Sequence, residues 1–198
     1  MRNIDTFVPK WEDFVIWRGG FSPEECDMII QEGELSEFKK AGLGYGDNSH
    51  TNLAYRDTDI VWIEPKPETY WLFDRMNDIC ARINFDKFQM QIEKFDGFQY
   101  SKYTVDGHFD WHTDVIPEPR YNKHFRKITL ILMLSDETDY EGGELEICTG
   151  GNFETAQSMK LKRGDIVAMY SFTPHKVAPV TKGNRMTLVT WALGEKLK

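Results

Sequence analysis

The sequence predicts an α+β fold that is mostly β: a jelly roll or antiparallel barrel fronted by N-terminal helices. Before about residue 88 apolar residues recur at helical spacing, whereas later they alternate with polar residues or form short β-branched runs. Turn signals such as Asp96-Gly97 and Lys182-Gly183 separate these short segments, as in barrels and jelly rolls. No linker is visible, so we expect one domain over 1–198, with a helix-rich support over about 1–88 and a jelly-roll core over about 89–194.

Composition and charge exclude several classes of protein. The chain has 198 residues, 40% of them hydrophobic and 14% aromatic, which is enough to build one sizeable core. The longest apolar run, Ile128–Leu134, is far too short to cross a bilayer, so we expect no membrane partner. With 24 Lys and Arg against 32 Asp and Glu, the formal net charge is -8, which argues against a nucleic-acid partner. The oligomeric state stays open.

The cysteines and the N-terminal residues indicate a cytoplasmic protein. Cys26, Cys80 and Cys148 are an odd, widely spaced set that forms neither a disulfide framework nor a CxxC zinc motif. Such usage is typical of a reducing compartment. The first 14 residues include Asp5 and Glu12 and no hydrophobic stretch, so we expect no signal peptide.

Two helices and one strand are predicted in the N-terminal half. Ser22 is suited to cap a first helix, with Pro23 at its first position and acidic residues in its first turn. The apolar spacing predicts a second helix over Pro67–Ile83 that includes Tyr70 in its apolar set. Between them we expect a turn-rich loop over 41–52 and a short strand over Asp59–Ile63.

The C-terminal half is predicted to consist of strands. Their predicted bounds are Gln91–Phe95, Phe98–Tyr103, His108–Asp114, Lys127–Leu134, Asp165–Tyr170 and Arg185–Leu193. A long segment over 115–125 follows the third strand. It is interpreted either as a lid beside a site or as a plain connector.

The third strand carries the most informative pattern, His-Phe-Asp-Trp-His-Thr-Asp over 108–114. Strict alternation would place His108, Asp110, His112 and Asp114 on one face, a pattern equally compatible with a solvent-exposed edge strand. A His-x-Asp pair with a distant histidine, however, is the ligand set of a 2-His-1-carboxylate metal site. His175, about 60 residues downstream among predicted strands, supplies that histidine, and three ligands would leave open positions for oxygen chemistry.

Arg185 is a candidate for binding a carboxylate near this metal. It lies ten residues after His175, and a hairpin around Gly183 would return it to the histidine. The guanidinium fork matches a carboxylate, so a carboxylate-bearing cosubstrate held there could reach the metal.

Several motifs follow one another in the order found in a known enzyme family. They are Tyr103 nine residues before His112-x-Asp114, Gly142-Gly143-Glu144-Leu145, Gly164-Asp165, the series His175, Val177, Pro179, Val180, Gly183 and Arg185, and finally Trp191. From about Gln99 to Trp191 the chain therefore resembles the Fe(II)/2-oxoglutarate-dependent dioxygenases of the prolyl 4-hydroxylase-like (PKHD-type) branch. Phe21–Cys26 also resembles the opening helix of such domains.

The resemblance implies a fold, ligands and a reaction. The fold would be a double-stranded β-helix with supporting helices. His112, Asp114 and His175 would bind Fe(II), and Arg185 would bind the distal carboxylate of 2-oxoglutarate, with Tyr103 and Trp191 lining the cosubstrate pocket. The cofactors would be Fe(II), 2-oxoglutarate and O2, with ascorbate as an accessory. A tyrosine that some members carry after the metal pair is absent, because the Ile128–Leu134 run is aliphatic.

The substrate stays open between alternatives. The family branch favours hydroxylation of a prolyl residue in a protein or peptide, with release of succinate and CO2. A free amino acid or other small molecule is the second alternative, and a non-catalytic cupin-like binding module is the third. A nucleic-acid demethylase is disfavoured, because Arg185 is not followed by the second arginine of that branch and the net charge is -8.

Two His-x-Asp pairs compete for one metal, His108/Asp110 and His112/Asp114. Residues four apart along a strand are separated by about 13 Å, so both pairs cannot bind one ion. The offset from Tyr103 favours His112 and Asp114. His108 and Asp110 are then expected at the strand start or the pocket mouth.

Overall fold

The computed structural model describes residues 13–43, 50–115 and 124–195. Within these ranges it contains two α-helices and fourteen strands. In chain order they are β1 (Phe14–Trp17), α1 (Pro23–Glu34), β2 (Lys39–Lys40), β3 (Arg56–Asp57), β4 (Asp59–Ile63), α2 (Tyr70–Ile83), β5 (Lys94–Tyr103), β6 (His108–His112), β7 (His124–Met133), β8 (Tyr140–Gly142), β9 (Leu145–Ile147), β10 (Gln157–Met159), β11 (Ile166–Tyr170), β12 (His175–Val177), β13 (Val180–Gly183) and β14 (Arg185–Glu195). The mostly β fold with N-terminal helices confirms the predicted fold class. Parts of two predicted segments, 44–49 of the loop and 116–123 of the lid or connector, lie outside the described residues.

The described strands form two facing sheets and a small ribbon. The large sheet has the order β1-β11-β7-β14-β5-β4-β2, and the small sheet has the order β10-β9-β12-β6-β3. β13 pairs with β8 in the ribbon. The two strands around Gly183 do not form the hairpin that would return Arg185 to His175, because β14 pairs with β5 and β7 in the large sheet.

The first helix begins where the sequence predicts, and the second begins later. The Ser22 hydroxyl accepts the Glu25 N–H, and the Glu25 carboxylate accepts the Ser22 N–H, which forms a capping box. α2 begins at Tyr70 rather than Pro67, because the Thr69 hydroxyl bonds backbone groups of the preceding turn. Tyr70 is 53% exposed and does not belong to the apolar set.

In the described part of the chain, no helix is both long and apolar enough to cross a membrane.

The central strand β7 is buried on both faces. Its Leu130 and Leu132 pack in the core shared with the two helices, whereas Ile131 and Met133 pack in the core between the sheets. A strand covered on both sides is expected to be continuously apolar rather than alternating. This explains the aliphatic run, and it places the interior side chains of β7 against the small sheet.

Candidate metal centre

Three ligand-type side chains meet between the sheets. His112 ends β6, Asp114 follows two residues later, and His175 begins β12. Asp114 Oδ2 lies 3.5 Å from His175 Nε2, and Asp114 Oδ1 lies 3.9 Å from His112 Nε2. One potential ligand atom from each residue lies within 4.8 Å of the other two, and no other such group occurs among the described residues. This geometry can accommodate one metal ion with open coordination positions.

A β-bulge in β6 brings the two histidines together. His112 pairs with His175, but Phe109, three residues earlier, pairs with Val177, only two residues later. The extra residue in β6 interrupts the alternation of side chains. As a result Phe109 shares a face with His112, and the two rings stack with centroids 3.4 Å apart. Strict alternation, which would place Phe109 on the face opposite His112, is therefore wrong for β6.

The competing pair lies elsewhere. His108 Nδ1 is 2.8 Å from the Asp106 carbonyl oxygen, and Asp110 accepts the N–H of Trp111. Neither His108 nor Asp110 lines the site cavity, so the alternative of a pocket-mouth position is wrong, whereas His108 does begin the strand.

Backbone carbonyls orient both imidazoles. His112 Nδ1 lies 2.7 Å from the Asp110 carbonyl oxygen, and His175 Nδ1 lies 3.0 Å from that of Thr173. A carbonyl only accepts, so each Nδ1 carries the proton and each Nε2 presents a lone pair. Burial, together with the neighbouring His175, lowers the pKa of His112 to about 3. The neutral imidazole is the form that binds a metal.

The Asp114 carboxylate is held in its ionised form. Burial alone would raise the pKa of this carboxyl group, but the two histidines, Arg126 and Thr129 outweigh burial and lower it. The Thr129 hydroxyl donates to Asp114 Oδ2 over 2.8 Å. Thr129 lies on β7, so this bond joins the ligand cluster to the large sheet.

The cluster opens into a cavity of about 390 Å³ that Arg185, Tyr103 and Trp191 also line. Arg185 is 1% exposed, and its Nε and Nη2 have no hydrogen-bond partner within the described residues. Its guanidinium carbon lies 5.4 Å from the Tyr103 ring centroid. A buried guanidinium with unsatisfied donors is costly unless an anion joins it, and a carboxylate fits its fork.

The Gly-Gly turn before β9 leaves room for this arginine. Gly143 has φ +67, which favours glycine, and a Cβ there would lie 2.9 Å from Arg185 Cδ. The motif therefore has a local physical reason: the turn passes directly against the stem of Arg185.

Sequence reasoning missed a second buried arginine in the cavity. Arg126 donates through Nε to Asp96 over 2.8 Å, and its guanidinium lies 3.6 Å from the Trp191 ring centroid. Trp191 Nε1 is buried without a hydrogen-bond partner in the described structure. The available signal was the charged pair Arg126-Lys127 before the aliphatic run, but the partner of Arg126, Asp96, is distant in sequence.

Comparison with known proteins identifies this part of the chain. Residues 98–193 match the family model described as the 2OG-Fe(II) oxygenase superfamily. The matched segment is therefore similar to 2OG-Fe(II) oxygenases, and it holds all three residues of the cluster as well as Arg185, Tyr103 and Trp191. The family implies Fe(II), 2-oxoglutarate and O2 as its cofactors.

A curated relative and two solved structures are similar to this chain. A PKHD-type hydroxylase of Teredinibacter turnerae is 36% identical over 95 residues, which cover 47% of this chain and 41% of that protein. The chain thus matches about two fifths of that relative's length. A Pseudomonas putida prolyl-4-hydroxylase has a TM-score of 0.70 at 17% identity, covering 94% of each chain. A Trichoplax adhaerens prolyl hydroxylase in complex with a hypoxia inducible factor peptide has a TM-score of 0.73 at 16% identity, covering 91% of this chain and 83% of that one. These likenesses show that the fold is a double-stranded β-helix.

Single alanine variants test the choice between the two His-x-Asp pairs. His112→Ala and Asp114→Ala are expected to weaken Mn(II) binding by more than about 100-fold, because each removes a direct ligand. His108→Ala and Asp110→Ala, the matched controls in the same strand, are expected to keep the affinity within about threefold. Calorimetric titration measures all four, and the reverse pattern would contradict the assignment.

Thr129→Val tests whether the hydroxyl beside Asp114 orients the ligand. The substitution keeps the shape of the side chain and removes the donor, so metal affinity is expected to fall by about 10–100-fold. Thr190→Val is the control, since the Thr190 hydroxyl donates to the Gly97 carbonyl instead. Equal affinities for the two variants would show that the Thr129 hydroxyl does not contribute.

Proposed function

We propose that this protein is an Fe(II)- and 2-oxoglutarate-dependent dioxygenase that hydroxylates an unactivated C–H bond, in a prolyl residue of a protein or peptide. The observation that carries the proposal is the joint placement, in one cavity, of the His112/Asp114/His175 cluster and a buried arginine with unsatisfied donors. Similarity to a PKHD-type hydroxylase and to prolyl hydroxylase structures supports the substrate class.

In the proposed mechanism, each group of the cavity has one task. His112 and His175 bind the metal through Nε2, and Asp114 supplies one carboxylate oxygen and a negative charge. Arg185 binds the distal carboxylate of 2-oxoglutarate and sets its direction relative to the cluster, with Tyr103 beside it. When bound, the iron, 2-oxoglutarate and O2 supply the oxidation, giving succinate, CO2 and one oxygen atom inserted into the substrate C–H bond.

The apolar wall of the cavity excludes water during this chemistry. Phe109, Ile131 and Val177 line the cavity beside the ligand cluster. Water exclusion strengthens the electrostatic contacts of Arg185 and protects a reactive site from side reactions.

The decisive experiment measures succinate formed from 2-oxoglutarate. The protein with Fe(II) and O2 is expected to produce succinate slowly even without a prime substrate. The same assay with added ascorbate tests whether ascorbate acts as an accessory cofactor. His175→Ala is the control. Succinate at the control level, with iron shown to be bound, would contradict an oxygenase.

A proline-rich peptide library analysed for a gain of one oxygen atom then separates peptide hydroxylation from small-molecule hydroxylation.

Arg185→Ala is expected to weaken 2-oxoglutarate binding much more than metal binding. Loss of a buried charge-assisted fork costs about 2–5 kcal/mol. Arg185→Lys should recover part of the affinity, since it keeps the charge but loses the fork. Anaerobic titration with 2-oxoglutarate measures both variants, and an unchanged affinity in Arg185→Ala would mean that another cation binds this carboxylate.

A further inference from the structure

The carboxylate of the ligand cluster is attached to backbone outside the sheets. β6 ends at His112, so Asp114, two residues later, lies beyond the end of that strand. Its backbone is held instead by the connection between β11 and β12, because the Asp114 N–H donates to the Ser171 carbonyl over 2.8 Å. A side chain on an irregular segment needs a further restraint if it is to meet two histidines in one geometry.

The connection that holds Asp114 is itself fixed. It consists of residues 171–174, between the end of β11 and the start of β12. The Ser171 N–H donates to the Lys127 carbonyl of β7 over 3.0 Å. The Thr173 carbonyl oxygen lies 3.0 Å from His175 Nδ1. One short connection therefore contacts two of the three residues of the ligand cluster.

Ser171 also reaches the carboxylate through its side chain. Ser171 Oγ lies 3.1 Å from Thr129 Oγ1, and the Thr129 hydroxyl donates to Asp114 Oδ2. A hydroxyl has one proton, and the proton of Thr129 is committed to an ionised carboxylate, which only accepts. Ser171 is therefore the donor to Thr129. The result is a relay with one direction, from Ser171 through Thr129 to Asp114.

Burial shields this relay from competing water. Ser171 and Thr129 are both 0% exposed, and Asp114 is 8% exposed. In such surroundings successive hydrogen bonds polarise one another, so the bond at the charged end is strengthened by the bond before it. Two restraints then act on one ligand, because the Ser171 carbonyl holds its main chain and the relay holds the direction of its carboxylate.

We propose that Ser171 is a positioning residue of the metal site, which sets the direction of the Asp114 carboxylate through the hydroxyl of Thr129. This inference rests on the metal site of the proposed function and deepens it. The Ser171 hydroxyl acts on the carboxylate only through Thr129. Its removal is therefore expected to have no effect on metal binding once the Thr129 hydroxyl is already absent.

A double-mutant cycle on metal affinity tests this dependence. Mn(II) is titrated calorimetrically into the wild type, Ser171→Ala, Thr129→Val and the double variant. Ser135→Ala is the matched control, since Ser135 is 1% exposed and its hydroxyl accepts the Met186 N–H, away from the ligand cluster. Electron paramagnetic resonance of the bound Mn(II), at saturating metal, is the second readout, because its line shape reports the arrangement of the ligands.

We expect Ser171→Ala to weaken Mn(II) binding by about 3–10-fold, the loss of one hydrogen bond that acts on the ligand indirectly. The double variant is expected to match Thr129→Val within about twofold, because the relay is already broken there. The Mn(II) spectrum should broaden in Ser171→Ala, since the carboxylate is less firmly directed, and should keep its wild-type form in Ser135→Ala.

An unchanged affinity and spectrum in Ser171→Ala would overturn the inference, and so would a loss in the double variant as large as the two single losses combined. If Ser171→Ala does not fold, Ser171→Cys replaces it, because a thiol fills similar space but is a weak donor, and wild-type behaviour there would overturn the inference. In these outcomes Mn(II) binding by the wild type leaves the proposed metal site standing. Failure of the wild type to bind Mn(II) would overturn that site and this inference with it.

Discussion

The pairing of β6 with β12 is the constraint on which the site depends. It places His112 directly opposite His175, and the bulge between Phe109 and His112 decides which side chains of β6 reach the interior. Without the extra residue, regular alternation would turn Phe109 away from the cavity and His108 toward it. The ligand cluster and the stacking of Phe109 on His112 both follow from this one irregularity.

Features that depend on neighbours in sequence could be predicted, and features that depend on tertiary contacts could not. The start of α1 was predictable because Ser22 and Glu25 cap it locally. The start of α2 was not, because nothing in the apolar spacing indicates that Thr69 bonds the preceding turn. The ordered motifs around His112 and His175 indicated the site and its family. The bulge in β6 was invisible to a pattern argument that assumes strict alternation.

The buried charges illustrate the same limit. Arg185 could be placed near the cluster from its position in an ordered motif, and its binding of an anion stays a prediction. Arg126 was not, because its partner Asp96 comes from β5 and its stacking partner Trp191 from β14, and only the assembled sheet brings them together. Burial of a charge is tolerated only when such partners are present, and they are supplied by strands far apart in sequence.

The contact between Asp114 and Thr129 has a consequence for the thermodynamics of the whole fold. In the proposed site the two histidines come from the small sheet, while the carboxylate is bonded to β7 of the large sheet. A bound ion would therefore act as a cross-link between the two halves of the sandwich. Since the unfolded chain lacks this arrangement, folding and metal occupancy are linked: an ion at 100 times its Kd adds about 2.7 kcal/mol to the free energy of unfolding. The thermal stability of the protein would then report the concentration of free iron around it.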